Sequence, residues 1–106
     1  MSVATSAPTV SLEDAYERFF PSSLAHYQAA LDYFPNGVTH DGRYMKPFPV
    51  YIDRADGAHK WDVDGHKLID YWMGHGALLL GHGRKEVVDA VTEQAGRGMH
   101  YGACHE

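Results

Sequence analysis

The chain has 106 residues, 44% of them hydrophobic and 22% charged, which is the balance of an ordinary soluble globular domain; that length suits one domain and is too short for two well-buried ones. A formal net charge of −5, with only nine Lys and Arg scattered along the chain, excludes the basic footprint that nucleic acids and anionic membranes select. The longest runs without Asp, Glu, Lys or Arg, residues 19–31 and 71–83, fall well short of the roughly 20 apolar residues that a membrane span requires.

Residues 1–10 are small and polar, and the sequence predicts that they are disordered. They have neither the apolar core of a secretory signal nor the arginines of a transit peptide, and the single cysteine, Cys104, cannot close an internal disulfide. The expected location is therefore the cytoplasm.

No glycine precedes Gly37, so residues 11–36 are expected to be helical. Ser11 is a helix N-cap with an acid, Asp14, three positions on, and Leu12, Tyr16, Phe19 and Phe20 then share one face. Pro21 restarts the chain, and Leu24, Tyr27, Ala30, Leu31 and Phe34 make a second apolar stripe that Pro35-Asn-Gly37 ends. Beyond Gly37 the period changes. Val50–Ile52 reads as a strand, Arg54–Gly57 as a turn and Ala58–Val63 as a second strand. Asp64-Gly65 is a two-residue hairpin signal, and His66–Tyr71 returns as a third strand. The prediction is an antiparallel meander of three strands. Lys85–Ala95 closes as a helix with Val87, Val88, Val91 and Ala95 inward, stopped by Gly96 and Gly98. The fold class is thus an α+β segment: N-terminal helices, a three-stranded antiparallel meander and one further helix. These elements do not obviously enclose one core, and the apolar, glycine-rich 71–83 run reads as a surface made to meet a neighbour.

The residues alone do not fix a chemistry. Eight histidines lie dispersed, without the tight pairing of a metal site, and Asp62-Val-Asp64-Gly65 lacks the remaining ligands of a calcium loop, so no metal is expected. The glycines around His75 and His82 follow no dinucleotide or Walker spacing and read as tight turns. Trp72 reads as core.

The run from Gly57 through Trp61-Asp-Val-Asp-Gly65 to Asp70 resembles the N-terminal segment of class III, pyridoxal-phosphate-dependent aminotransferases. There a G-x-x-x-W-D-x-D-G-x-x-x-x-D hairpin precedes a glycine-rich stretch, a Gly-His element and an interface helix. Here the continuation is Met73-Gly-His-Gly76, then Gly81-His82 and Glu86–Val91. Upstream, Phe34-Pro-Asn-Gly37-Val38 matches the family's entry motif, with Arg43 following. Downstream, Gly98-Met-His-Tyr-Gly102-Ala103 is similar to its G-x-x-F/Y-G-A stretch.

Within the class the likeness is strongest to the glutamate-1-semialdehyde aminomutase branch, which also holds aminotransferases for aromatic D-amino acids and β-amino acids. His75-Gly-Ala-Leu-Leu-Leu-Gly-His82 is closer in wording to the D-phenylglycine-type transaminases; the mutase pattern has Trp where His75 stands, and proline where Gly83-Arg84-Lys85 follows.

The resemblance implies a fold-type-I transferase with pyridoxal 5'-phosphate as cofactor, amino-acid and 2-oxo-acid substrates, and active sites at a homodimer interface. A lysine would link covalently to the cofactor aldehyde and be exchanged for the substrate amine. That lysine lies far downstream in the family, so no residue of this segment is expected to be catalytic. Residues 37–106 would be the N-terminal part of the small domain, leading into a large cofactor domain outside this chain. Arg43 would bind the substrate carboxylate, His75 would line the substrate pocket, and Tyr101 would stand at the interface or pocket. The alternatives are an intramolecular aminomutase and a non-catalytic interaction module.

Overall fold

A computed structural model describes residues 10–104. The predicted disorder of residues 1–10 falls, but for Val10, outside the described residues, and Val10 is exposed. The order is α1 (Leu12–Phe19), α2 (Pro21–Ala30), β1 (Ile52–Asp56), β2 (His59–Asp62), β3 (Lys67–Ile69) and α3 (Lys85–Arg97). The strands form one antiparallel sheet in the order β1-β2-β3. The α+β prediction holds. Two compact units divide the chain: one runs to Asp53 and takes in Trp61–His66, the other comprises Arg54–Lys60 and the residues from Lys67 onward.

In the first unit the Ser11 hydroxyl accepts the Asp14 N–H at 3.0 Å, and Glu13, Asp14 and Arg18 complement the dipole of α1. Phe20 ends that helix, and Pro21 opens α2 at the position where a missing N–H costs nothing. The Asp64 carboxylate accepts the Ser22 N–H at 3.1 Å, so a residue 42 positions away supplies the cap that Phe20 cannot. Helix α2 stops at Ala30, before the predicted Phe34, and its apolar residues are not gathered on one face. Among the described residues Phe48 is the buried large apolar side chain, 1% exposed, with ring centroids 4.9 Å from Tyr16 and 6.3 Å from Tyr27. The Tyr16 hydroxyl donates to the Phe48 carbonyl at 2.9 Å, and burial raises its pKa above the ordinary tyrosine value. Buried Ser23 accepts the Tyr51 N–H at 3.0 Å, which leaves no buried polar atom of that pair unmatched.

Boundaries differ from the sequence reading in the sheet and in α3, and β2 and β3 are shorter than the Ala58–Val63 and His66–Tyr71 expected. The first strand is Ile52–Asp56, so Arg54 and Asp56 lie in a strand rather than a turn; β1 is an edge strand, where charge is tolerated. The hairpin loop has three residues, not two. The Asp62 N–H reaches the His66 carbonyl and the Gly65 N–H reaches the Asp62 carbonyl, which leaves Gly65 at φ 90°, the left-handed position that a three-residue loop requires. Helix α3 runs through Gly96 and ends only at Gly98, whose φ of 119° departs from the helix.

In the second unit α3 presents Val87, Val88 and Val91 as half-exposed or exposed residues, against the inward placement predicted. The helical period groups them on one face but says nothing of what that face meets. Trp72 is 62% exposed, so it is not core. No described helix is long and apolar enough to cross a membrane.

Candidate functional site

Strands β2 and β3 bring Lys60 and Asp70 together in the second unit, and the glycine-rich segment that leaves β3 returns to the same carboxylate. Asp70 Oδ1 accepts the N–H of Trp72 at 2.8 Å and of Met73 at 3.1 Å, and receives Lys60 Nζ at 3.3 Å. Asp70 Oδ2 lies 2.7 Å from His82 Nε2; a carboxylate only accepts, so the imidazole donates. The Asp70 side chain is 4% exposed. The His82 hydrogen bond foremost, then the two backbone amides and Lys60, hold its carboxyl far below the usual range, against the opposing effect of burial. His82 is fixed by its backbone as well, exchanging two 2.9 Å hydrogen bonds with Gly57. Gly81 has to be glycine there: its φ is 85°, and a Cβ would stand 3.0 Å from the Gly57 carbonyl oxygen.

A second carboxylate–histidine pair organises the hairpin of the first unit. Fully buried Asp62 accepts the N–H of Asp64 at 3.0 Å and of His66 at 2.7 Å, and its other oxygen meets His66 Nδ1 at 2.8 Å. The His66 ring stacks on Phe19 with centroids 4.0 Å apart. Nearby Asp64 has its pKa lowered, first by the Ser22 hydroxyl, then by the backbone of Ser22 and Ser23 and the charge of His66, against partial desolvation.

The residues singled out from sequence lie elsewhere. Arg43 is exposed in a short turn, Asp41–Arg43, of the first unit; its Nη1 donates to Thr39 Oγ1 at 2.7 Å. His40 Nδ1 and Asp41 Oδ1 both accept the Gly42 N–H and shape that turn. His75, in the second unit, is exposed at φ 62°, a left-handed conformation uncommon for a side-chain-bearing residue, with the Trp72 ring edge-on at 5.1 Å. Tyr101 is fastened to the end of α3: its hydroxyl donates to the Arg97 carbonyl at 2.9 Å and accepts from Gln94 Nε2 at 3.1 Å. Sequence reasoning named His75 and missed the hub that carries its loop. Asp70 and His82 stood in the quoted motifs, but eleven intervening residues hid their meeting.

Among the described residues no three His, Cys, Asp or Glu side chains converge as metal ligands. Lys60 and Lys85 are engaged by Asp70 and Asp89, and Lys46 and Lys67 are exposed.

The family model of class-III aminotransferases matches residues 41–105. The chain belongs to this family. Its fold is that of a segment of the fold-type-I pyridoxal-phosphate-dependent transferases. Among curated relatives, the glutamate-1-semialdehyde 2,1-aminomutase of Methanopyrus kandleri is 46% identical over 87 residues, covering 82% of this chain and 20% of that protein. Among solved structures, a β-phenylalanine aminotransferase from Variovorax paradoxus superposes with a TM-score of 0.76 at 33% identity, covering 88% of this chain and 22% of that one. A transaminase with PLP bound gives 0.76 at 32% identity, over 81% and 20%. The chain thus spans about a fifth of the length of the relatives it matches.

Proposed function

We propose that these residues are the N-terminal portion of a cytoplasmic, homodimeric aminotransferase that moves an amino group between an amino acid and a 2-oxo acid. The observation that carries the reading is the continuous family match over residues 41–105, joined to the 33% identity with a solved β-phenylalanine aminotransferase. Bound pyridoxal phosphate would supply the electron sink for the substrate carbanion. The covalent anchor is assigned outside this segment, since Lys60 and Lys85 are held in ion pairs.

The chain's own residues then act as walls and clamps. Arg43 has a planar guanidinium that matches a carboxylate bidentately, and one of its five N–H donors goes to Thr39. His75 lines the substrate pocket where the mutase pattern has Trp, and Tyr101 is placed at the interface or pocket.

Intramolecular amino transfer is the second reading, and a specific observation favours it: the curated relative at 46% identity is named an aminomutase. Product analysis of the full-length protein, loaded with pyridoxal phosphate, separates the two. A transaminase produces a new amino acid only when an external 2-oxo acid is present. A mutase rearranges glutamate-1-semialdehyde without one. A protein that binds no pyridoxal phosphate defeats both.

A further inference from the structure

We propose that Asp70 is a positioning residue that presets the conformation of the 72–81 segment and, through it, the placement of His75; this rests on the reading of His75 as a substrate-pocket residue. One carboxylate holds both ends of the segment. Its Oδ1 takes the Trp72 and Met73 amides at the start, and its Oδ2 takes His82 at the end.

The same two residues carry the hold inward. The Trp72 carbonyl accepts the Gly76 N–H at 2.9 Å and the Met73 carbonyl accepts the Leu78 N–H at 3.0 Å, so two of the bonds that close the turn around His75 come from the residues whose amides bind Asp70; a longer one, from the Ala77 N–H to the Gly74 carbonyl at 3.3 Å, lies inside them. Met73 and His75 both have positive φ, 46° and 62°, a backbone that side-chain-bearing residues keep only when their surroundings enforce it. Among the described residues apolar burial contributes little to that enforcement: Tyr71, Trp72, Leu79 and Leu80 are all more than half exposed, and Met73 and Leu78 are only partly covered. The enforcement comes from a carboxylate that is itself 4% exposed and has four donors.

The test uses the full-length protein loaded with pyridoxal phosphate, and reads amide hydrogen exchange over residues 72–81. Asp70→Asn and His82→Leu should each speed exchange at Gly76 and Leu78 about tenfold, roughly the loss of one charge-assisted hydrogen bond. His82→Gln keeps a donor toward Asp70 and should restore near-native protection, and α3 should exchange as before in all three. Unchanged exchange in both loosening variants overturns the proposal, as does acceleration spread equally through α3. Should Asp70→Asn fail to fold, the two His82 variants decide.

In full-length protein, KM for an amino-acid donor that the native protein turns over with a 2-oxo acid should rise in Asp70→Asn as it does in His75→Ala, with kcat within about twofold. A raised KM in His75→Ala together with a native KM in Asp70→Asn overturns the proposal. A native KM in His75→Ala beside a loosened loop overturns the reading of His75 and leaves the hub of Asp70 standing.

Discussion

In the first unit Phe48 lies against Tyr16 and Tyr27, and the buried Ser23 and Asp62 beside the chain are matched by backbone N–H groups. Among the described residues of the second unit, Asp70 is the only buried side chain, and the apolar residues around it are largely exposed. The first keeps its shape by packing aromatic rings over satisfied polar groups, the second by converging donors on a charge. Aromatic packing loses contact energy gradually with distance, whereas a hub loses several hydrogen bonds together when one group changes.

The largest expected effect tests the packed side of that contrast. Phe48→Ala in the full-length protein should cost about 3–5 kcal/mol in the first unit, read from the urea midpoint at constant m. Phe48→Leu should recover most of it. A cost near zero for the alanine variant would show that the aromatic cluster holds nothing together.

On the other side, Gly81→Ala forces a side chain into φ 85° and against the Gly57 carbonyl. The backbone term alone is about 1–2 kcal/mol. Amide protection at Gly57 and His82 should fall accordingly, while the first unit stays as it was. Equal protection in both proteins would remove the Gly57–His82 bridge from the account.

The smallest effect sharpens the contrast through pH. Asp70 has a depressed pKa, so its contribution to stability is complete above the unfolded value of about 3.9 and is lost as pH falls through the folded value far below it. Protection of residues 72–81 should therefore be flat from neutrality to about pH 5, once intrinsic exchange rates are removed, and begin to fall below about pH 4. A step between pH 5 and 7 would place the controlling titration elsewhere.

The meander was legible because the Asp64-Gly65 turn and the flanking strand residues agree. Its first strand was misplaced because Arg54, Asp56 and Gly57 look like a turn until the strand is known to be an edge. Glycine at position 96 read as a stop, yet one glycine in a last turn costs only about 1 kcal/mol and the chain ran on to Gly98. Phe48 gave no signal, since it sits between Pro47 and Pro49 in no periodic element. Arg43, His75 and Tyr101 came from a motif resemblance, and the structure adds their local partners. The Asp70 hub was hidden for a geometric reason: side chains twelve apart meet only after an irregular loop has turned back.

Whether the amino group travels between molecules is decided most directly by isotope. Incubate the full-length, pyridoxal-phosphate-loaded protein with a set of ¹⁵N-labelled α- and β-amino acids and an unlabelled 2-oxo acid, and follow the label by mass spectrometry; run ¹⁵N-labelled glutamate-1-semialdehyde in parallel without acceptor. The account predicts ¹⁵N in the amino acid formed from the oxo acid, and no rearranged product in the parallel reaction. Label absent from that amino acid with every donor, or 5-aminolevulinate accumulating from the semialdehyde, would contradict it.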